Sequence, residues 1–409
     1  MKTEVLDKVQ SMTASPKGYK QTEVGLIPED WEVSRLDSFF SFISYGFTNP
    51  MPVSNDGVYL ITAANIFDGK IQYSTSRFTT ETAYKKLLTD KSRPRKNDIL
   101  LTKDGSLGRL AIVEDERICI NQSVAVIRPN EKVLPEFLKK LLESNYYQKV
   151  MIDNAGGSTI KHLYITVVNL MLIGVPSDLS EQTAIATALS DADALIRSLE
   201  QLIEKKKNIK QGAMQELLRP QEGWELKYLT DVVDYIHGKA HEKDIVEDGK
   251  FTVVNSKFVS TEGKIAKYSN SNYCPARKND VLTVLSDLPN GKALAKCYIV
   301  QEDGRYAINQ RICIWRTKGS DPTFLYYLLN RNKYFLDLDD GVSQTHILNH
   351  HIEKCQISIP LNFEVQKEIG LILFQMDAEI NKLHLKLEKQ RHIKQGMMQN
   401  LLTGKIRLI

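Results

Sequence analysis

Cysteine is scarce in this chain, with five in 409 residues (Cys119, Cys274, Cys297, Cys313 and Cys355), and no two of them form a C-x-x-C pair. An odd, scattered set argues against a disulfide framework or a zinc ribbon and fits reduced, buried thiols. No apolar run approaches the ~18 residues of a membrane span, so no membrane partner is expected. The opening MKTEVLDKVQSMTASPKGYK has no apolar core of the signal-peptide kind, which predicts a cytoplasmic protein. An excess of one charge is also missing. The 54 Lys and Arg against 50 Asp and Glu leave +4, so the distribution of charge must decide about nucleic acid. With 42% hydrophobic and 25% charged residues, the chain is too apolar to be disordered throughout. Its length suggests two or three domains.

Catalytic signatures are absent as well. There is no Walker A loop, and no tight G-x-G-x-x-G follows a strand, so neither ATP nor S-adenosylmethionine has a phosphate or ribose cradle. The chain has no Pro-Pro, which excludes the Asn/Asp-Pro-Pro-aromatic loop of adenine methyltransferases; Asn49-Pro50-Met51-Pro52 is not that loop. Glu204-Lys205-Lys206 has the local spacing of a nuclease but reads as a solvated charge run on a helix. His346, His350 and His351 are spaced as metal ligands could be. The matching stretch of the first half offers only His162, and no Cys or carboxylate cluster joins them, so the expectation is no metal.

What the chain does contain is a duplication. With Pro176 set on Pro360 and no gap, Gln182 meets Gln366, Ile185 meets Ile369, Asp193 meets Asp377 and Ile196 meets Ile380. Further along, Ile209-Lys210-Gln211-Gly212 meets Ile393-Lys394-Gln395-Gly396. Upstream, RKNDIL from Arg95 returns as RKNDVL from Arg277, Ile120-Asn121-Gln122 as Ile308-Asn309-Gln310, and EDWEV around Trp31 as EGWEL around Trp224. PEFLKKLLESNYY from Pro135 returns as PTFLYYLLNRNKY.

The repeated segments after Pro176 and Pro360 read as long helices. Ile185, Leu189, Ala192, Ile196, Leu199 and Ile203 step by four and three, as do Ile369, Leu373, Met376, Ile380, Leu383 and Leu387. That is the spacing of a coiled-coil seam, and both copies break step at one place, Lys206 and Gln390, which predicts that the two helices pack on each other. The globular segments read as mixed strand and helix. NDILLTKDGSLGRLAIV and NDVLTVLSDLPNGKALAKCYIV are each a strand, a glycine-containing turn and a returning strand. ICINQSVAVIRP and YAINQRICIWRT each read as one further strand, FLKKLLESNYYQKV and FLYYLLNRNKYF as short amphipathic helices, and Gly156-Gly157-Ser158-Thr159 and Gly341-Val342-Ser343-Gln344 as loops.

The fold class is therefore α+β. Two similar globular domains, at 19–175 and 220–359, stand in tandem with helices at 176–219 and 360–409 that pack on each other as a coiled coil, after an extension at 1–18.

The helix ends are basic: Arg197 to Arg219 sums to +3, and Lys382 to Arg407 to +6. Basic helices bridging two heads suit the phosphates of double-stranded DNA. Candidate DNA contacts are Lys103, Ser106, Arg109 and Lys161 in the first head, and Asn290, Lys292, Gln344 and His346 in the second. The amide pairs Asn121-Gln122 and Asn309-Gln310 could bond adenine, although their presence in both heads favours a structural use. A scaffold with protein-binding heads is the alternative from another class, and a standalone nuclease a third.

These motifs, together with GYKQTEVGLIPEDWEV from Gly18 and GSTIKHLYITVVNLMLIGVPSDLSEQTAIA from Gly157, resemble the specificity subunit of type I restriction-modification systems over nearly the whole chain. The resemblance implies a non-catalytic DNA reader in which each head binds one half of a split, asymmetric sequence. It implies that the heads are target recognition domains, and that the helices form an antiparallel coiled coil, separate the heads and dock two modification subunits, with two motor-nuclease subunits able to join. S-adenosylmethionine, ATP and Mg would then belong to those partners. The second head departs from the first at NDVLTVLSDLPNGKALA from Asn279, where Asp104-Gly105-Ser106-Leu107-Gly108 has no match.

Overall fold

The computed structural model describes residues 16–114, 117–157, 161–288 and 291–408. The chain divides into two compact units, Met1–Ser198 with Leu387–Ile409, and Leu199–Lys386. The predicted helices are both present, Leu179–Leu217 and Phe363–Leu401, each 39 residues long. Each unit takes part of both.

In the first unit, a four-stranded antiparallel sheet runs in the order Leu110–Ile112, Ile99–Thr102, Val124–Pro129, Phe40–Tyr45. A three-stranded sheet places Val58–Ile61 between Ile118–Ile120, which is parallel to it, and Arg77–Thr79. A separate antiparallel pair joins Trp31–Arg35 to Leu172–Pro176 at the entry to the helix. The second unit repeats the plan. Its four strands run Val233–His237, Ile312–Thr317, Val281–Val284, Cys297–Ile299. Phe251–Val254 lies parallel to Tyr306–Ile308, and Trp224–Tyr228 pairs with Gln356–Pro360.

The four-stranded sheets are covered on both faces, and strand alternation sorts their side chains. Ile99 and Leu101 enter the core shared with the helices, while Leu100 enters the core against the smaller sheet. Val281 and Leu282 divide in the same way.

Two expected elements are broken in two. ICINQSVAVIRP is not one strand: it leaves the small sheet at Ile120 and enters the large one at Val124, and Tyr306–Ile308 and Ile312–Thr317 do the same in the second unit. The turn is held by the amides. Asn121 Oδ1 accepts from Ser123 N at 3.2 Å and Ser123 Oγ at 2.6 Å, and Asn309 Oδ1 accepts from Gln310 N at 2.7 Å. A glycine crosses each turn where no side chain fits: a Cβ on Gly46 would lie 1.9 Å from Ile120 O, and one on Gly238 2.1 Å from Asn309 O. Each expected short helix is likewise two, Pro135–Leu142 with Asn145–Asp153, and Pro322–Leu329 with Lys333–Leu336.

The repeat extends to individual bonds. Arg128 grips buried Asp98 through Nε at 2.8 Å and Nη2 at 2.7 Å, and Arg316 grips Asp280 at 3.0 and 2.7 Å. Those carboxylates raise both guanidinium pKa values. Buried Gln182 donates to Pro176 O and accepts from Leu134 N, both at 2.8 Å, tying helix to head. Gln366 donates to Pro360 O and accepts from Asp321 N at 2.8 and 3.0 Å.

Within each unit the two helix segments run antiparallel. In the first, Ile185 and Leu189 share a core with Leu401 and Leu402, and Asp193 pairs with Lys394 at 2.5 Å. In the second, Ile369 and Leu373 share a core against which Ala213, Met214 and Leu217 pack, and Lys210 pairs with Asp377 at 2.5 Å. The heptad pattern thus begins as head core, since these seam residues contact the head as well as the other helix. Further along, Leu199, Ile203, Ile380 and Leu387 are buried, and Ile196, Met376 and Leu383 half-buried. At the break in step, Lys206 is half-buried and pairs with Glu379 at 2.7 Å.

Candidate nucleic-acid interface

Four loops meet at one edge of each head. In the first unit they carry Tyr45, Lys103-Asp104, Gln122 and His162. Backbone bonds fix them: Gln122 N donates to Phe47 O at 2.8 Å, Lys103 N to Ser123 O at 2.9 Å, and Leu163 N to Lys103 O at 2.9 Å. Asp104 collects the polar ends. Its Oδ1 lies 2.6 Å from His162 Nδ1, its Oδ2 3.1 Å from Lys103 Nζ, and that ammonium sits 5.5 Å from the centroid of the exposed Tyr45 ring.

In the second unit the same loops carry His237, Leu285-Ser286, Gln310-Arg311 and His346. Leu285 N donates to Arg311 O at 2.9 Å and Ile347 N to Leu285 O at 2.8 Å. His346 pairs with Ser286 along a short strand, so it occupies the place of His162, while Ser286 replaces Asp104. The loops enclose an open cleft of about 820 Å³ lined by His237, Gln310, Arg311, His346, Asn349 and Glu353 among others. Its donors are oriented: His237 Nε2 lies 2.7 Å from Asn349 Oδ1, and Gln344 Nε2 donates to Ser286 Oγ at 3.0 Å. Beside it, Asn309 Nδ2 donates to Glu242 Oε1 at 3.1 Å. Burial works against ionisation of Glu242, yet backbone N–H groups and the Asn309 amide hold its carboxyl below the usual range. The carboxylate is therefore a fixed acceptor at neutral pH, as a cytosine amino group requires. Arg311 is exposed and has no acidic partner among the described residues, which leaves its fork open to a guanine edge or a phosphate. Burial, helped by neighbouring His350 and Lys354, lowers the His351 pKa.

The expected contact residues divide. Lys103, Gln122, Gln344 and His346 fall at these edges with side chains exposed or half-exposed. Asn121 and Asn309 spend their amides on the turn and on Glu242. Arg109 turns away, with its guanidinium 5.3 Å from the Phe67 ring centroid and Nη1 donating to Ile66 O at 3.2 Å. Exposed Ser106 joins its own turn through its carbonyl, which accepts from Thr102 Oγ1. Lys161 and Lys292 are exposed. Asn290, Ser158 and Thr159 lie outside the described residues. Sequence reasoning missed Tyr45, Asp104, His237, Glu242, Arg311 and Asn349. The one available signal was the aromatic or histidine preceding a matched glycine, Tyr45-Gly46 and His237-Gly238. No group of three or more His, Cys, Asp or Glu able to hold a metal occurs among the described residues. No described helix is long and apolar enough to cross a membrane.

The geometry is thus one frame presented twice with different side chains at its rim. The family model for the type I restriction modification DNA specificity domain matches residues 28–210 and again 221–390. The chain belongs to that family. A type I specificity subunit is therefore the setting of both heads, and DNA sequence recognition through two tandem domains is its function. The chain is 28% identical to the type I restriction enzyme MjaVIII specificity subunit of Methanocaldococcus jannaschii, over 96% of each chain. The crystal structure of the S subunit of a type I restriction-modification system from M. genitalium has the same fold, at TM-score 0.60 and 19% identity, covering 91% of this chain and 96% of that one. A chain from a structural study of type I system assembly and conformational transition matches at TM-score 0.55 and 17% identity, covering 93% and 99%.

Proposed function

We propose that each head reads one half of a bipartite, asymmetric DNA site through the loop edge just described, and that the chain itself performs no chemistry. In this reading the heads span 19–175 and 220–359. The helices at 176–219 and 360–409 act as a coiled-coil ruler that sets the unread spacer. They also dock two modification subunits, which bring S-adenosylmethionine and methylate adenine, with two motor-nuclease subunits able to join them in the cytoplasm. The observation that supports this reading most is the substitution pattern at the shared edge. Backbone bonds there are equivalent, whereas Leu285, Ser286 and Arg311 stand in the second head where Lys103, Asp104 and Ser123 stand in the first. A frame kept alike while its rim differs suits two readers of unlike half-sequences, since base-edge contacts specify and phosphate contacts only position.

The test is Arg311→Ala in the assembled methyltransferase. A bidentate base contact gives about 1–3 kcal/mol of discrimination. Relaxed methylation at one base of one half-site, with the other half intact, is the expected result. Uniform weakening at every sequence would make Arg311 a phosphate contact and remove it from the reading set.

A further inference from the structure

The first unit contains a second cationic site, away from the loop edge. A pocket of about 380 Å³ lies where the tip of the Ile66–Ile71 hairpin, the helix Pro135–Leu142 and the two long helix segments of that unit meet. Five cations line it (Lys70, Lys139, Lys140, Arg197 and Lys394) against three carboxylates, Asp68, Glu143 and Asp193.

Lys139 and Lys140 are only 8% and 6% exposed. Buried ammonium groups are costly unless fully paired, and here these two and the half-buried Lys394 divide two carboxylates. Glu143 takes Lys139 at 2.7 Å and Lys140 at 3.7 Å, while Asp193 serves both Lys140 and Lys394. Half-buried Arg197 and exposed Lys70 have no carboxylate partner among the described residues. Gly69, at φ +69°, brings the hairpin backbone so close over Lys139 that a Cβ there would lie 2.9 Å from its Nζ. Burial, with Lys140 beside it, pulls the Lys139 ammonium below its ordinary range.

The duplication shows that the joint itself needs none of this. In the second unit, Tyr326 and Tyr327 stand where Lys139 and Lys140 do, Asn330 replaces Glu143 and Asn381 replaces Arg197. There Tyr327 Oη donates to Asp377 at 2.7 Å and Lys210 completes the bridge at 2.5 Å. A neutral hydroxyl is enough to hold head and helix together. The surplus charge belongs to one copy alone.

We propose that this pocket binds a phosphorylated anion, with Lys70, Lys139, Arg197 and Lys394 as its donors. A surplus of two positive charges, ammonium and guanidinium donors converging on one cavity, and the Ser190 and Asn145 side chains at its wall suit a diphosphate group. The same chemistry could come from the DNA backbone or from a free phosphorylated molecule.

The experiment titrates pyrophosphate into the full chain at constant ionic strength, with chloride as control, and follows the melting temperature. A saturable rise is expected, because a ligand that binds only the folded state stabilises it. Lys70→Ala with Arg197→Ala removes donors that no carboxylate uses, and should weaken binding roughly tenfold or more. Lys139→Tyr with Lys140→Tyr copies the second unit and should abolish it while leaving the protein folded. No saturable rise in the native chain, or a rise undiminished in both variants, overturns the proposal. Adding a short duplex then identifies the source. Displacement of pyrophosphate assigns the site to a DNA phosphate, and simultaneous binding assigns it to a free anion.

Discussion

Arg407→Ala tests how the first unit is closed. Glu181, the second residue after Leu179 in the first long helix, is fully buried, and its carboxylate takes Arg407 through Nε and through Nη2, the latter at 2.8 Å. Trp31 Nε1 donates to the same carboxylate at 3.2 Å, and the Arg407 fork also spans exposed Asp30 at 3.0 and 2.8 Å. Removing one partner of a buried ion pair costs about 3–5 kcal/mol, because the remaining charge is left without compensation. The Arg407 side chain is 22% exposed, so water can partly replace it, and the lower end, about 3 kcal/mol, is expected. Glu181→Gln added to Arg407→Ala removes the stranded charge and keeps an acceptor for Trp31, so it should recover most of that loss. Urea unfolding of the three proteins gives the comparison through midpoint and slope. A loss below about 1 kcal/mol for Arg407→Ala, the range of an exposed pair, would refute the reasoning. So would an absence of rescue by the second substitution.

Other outcomes follow from the same physics. Four helical residues inserted after Ile203 add about 6 Å, or roughly two base pairs, and should lengthen the unread spacer while preserving both half-sequences. An altered half-sequence with an unchanged spacer sinks the ruler. Burial opposes ionisation of Asp193, but hydrogen bonds from Lys140 and Lys394 outweigh it and lower its pKa. Its stabilisation is therefore present above the ordinary carboxylate value near ~3.9 and lost as pH falls through the lower native value, and Asp193→Asn should flatten acid unfolding in that window. Burial pushes the thiols of Cys119, Cys297 and Cys355 up to about 12, and those of Cys274 and Cys313 upward as well. At pH 8 a thiol reagent should titrate none of the five cysteines in the folded chain and all of them in denaturant.

The duplication was legible because structural bonds keep their residue types. Gln182 and Gln366 recur since each must satisfy a strand end and a helix entry at once, and Asp193 and Asp377 recur since each joins the other long helix to the head, through Lys140 in one unit and Tyr327 in the other. Heptad spacing found both long helices but could not say that Ile185 and Ile369 also serve head cores, because the spacing specifies a face and not its partner. The split at Asn121 and Asn309 is marked only by three consecutive polar residues, Asn121-Gln122-Ser123 and Asn309-Gln310-Arg311, an interruption that does not say which sheet the apolar run on either side will join. The loop edge was the least legible part. Tyr45, Asp104 and His162 lie far apart in sequence and meet only through the sheet, and Arg109, although well placed in its hairpin, is drawn to Phe67 instead.

In the proposed function, two unlike heads on one frame read two unlike half-sequences. The most direct measurement co-expresses the chain with a type I modification subunit and maps N6-methyladenine by single-molecule sequencing. The expected result is a split, asymmetric motif with a fixed gap, methylated once on each strand, in which changes at Arg311 or Lys103 alter only one half each. A stable complex that methylates a continuous motif, or one in which both substitutions alter the same half, would contradict it.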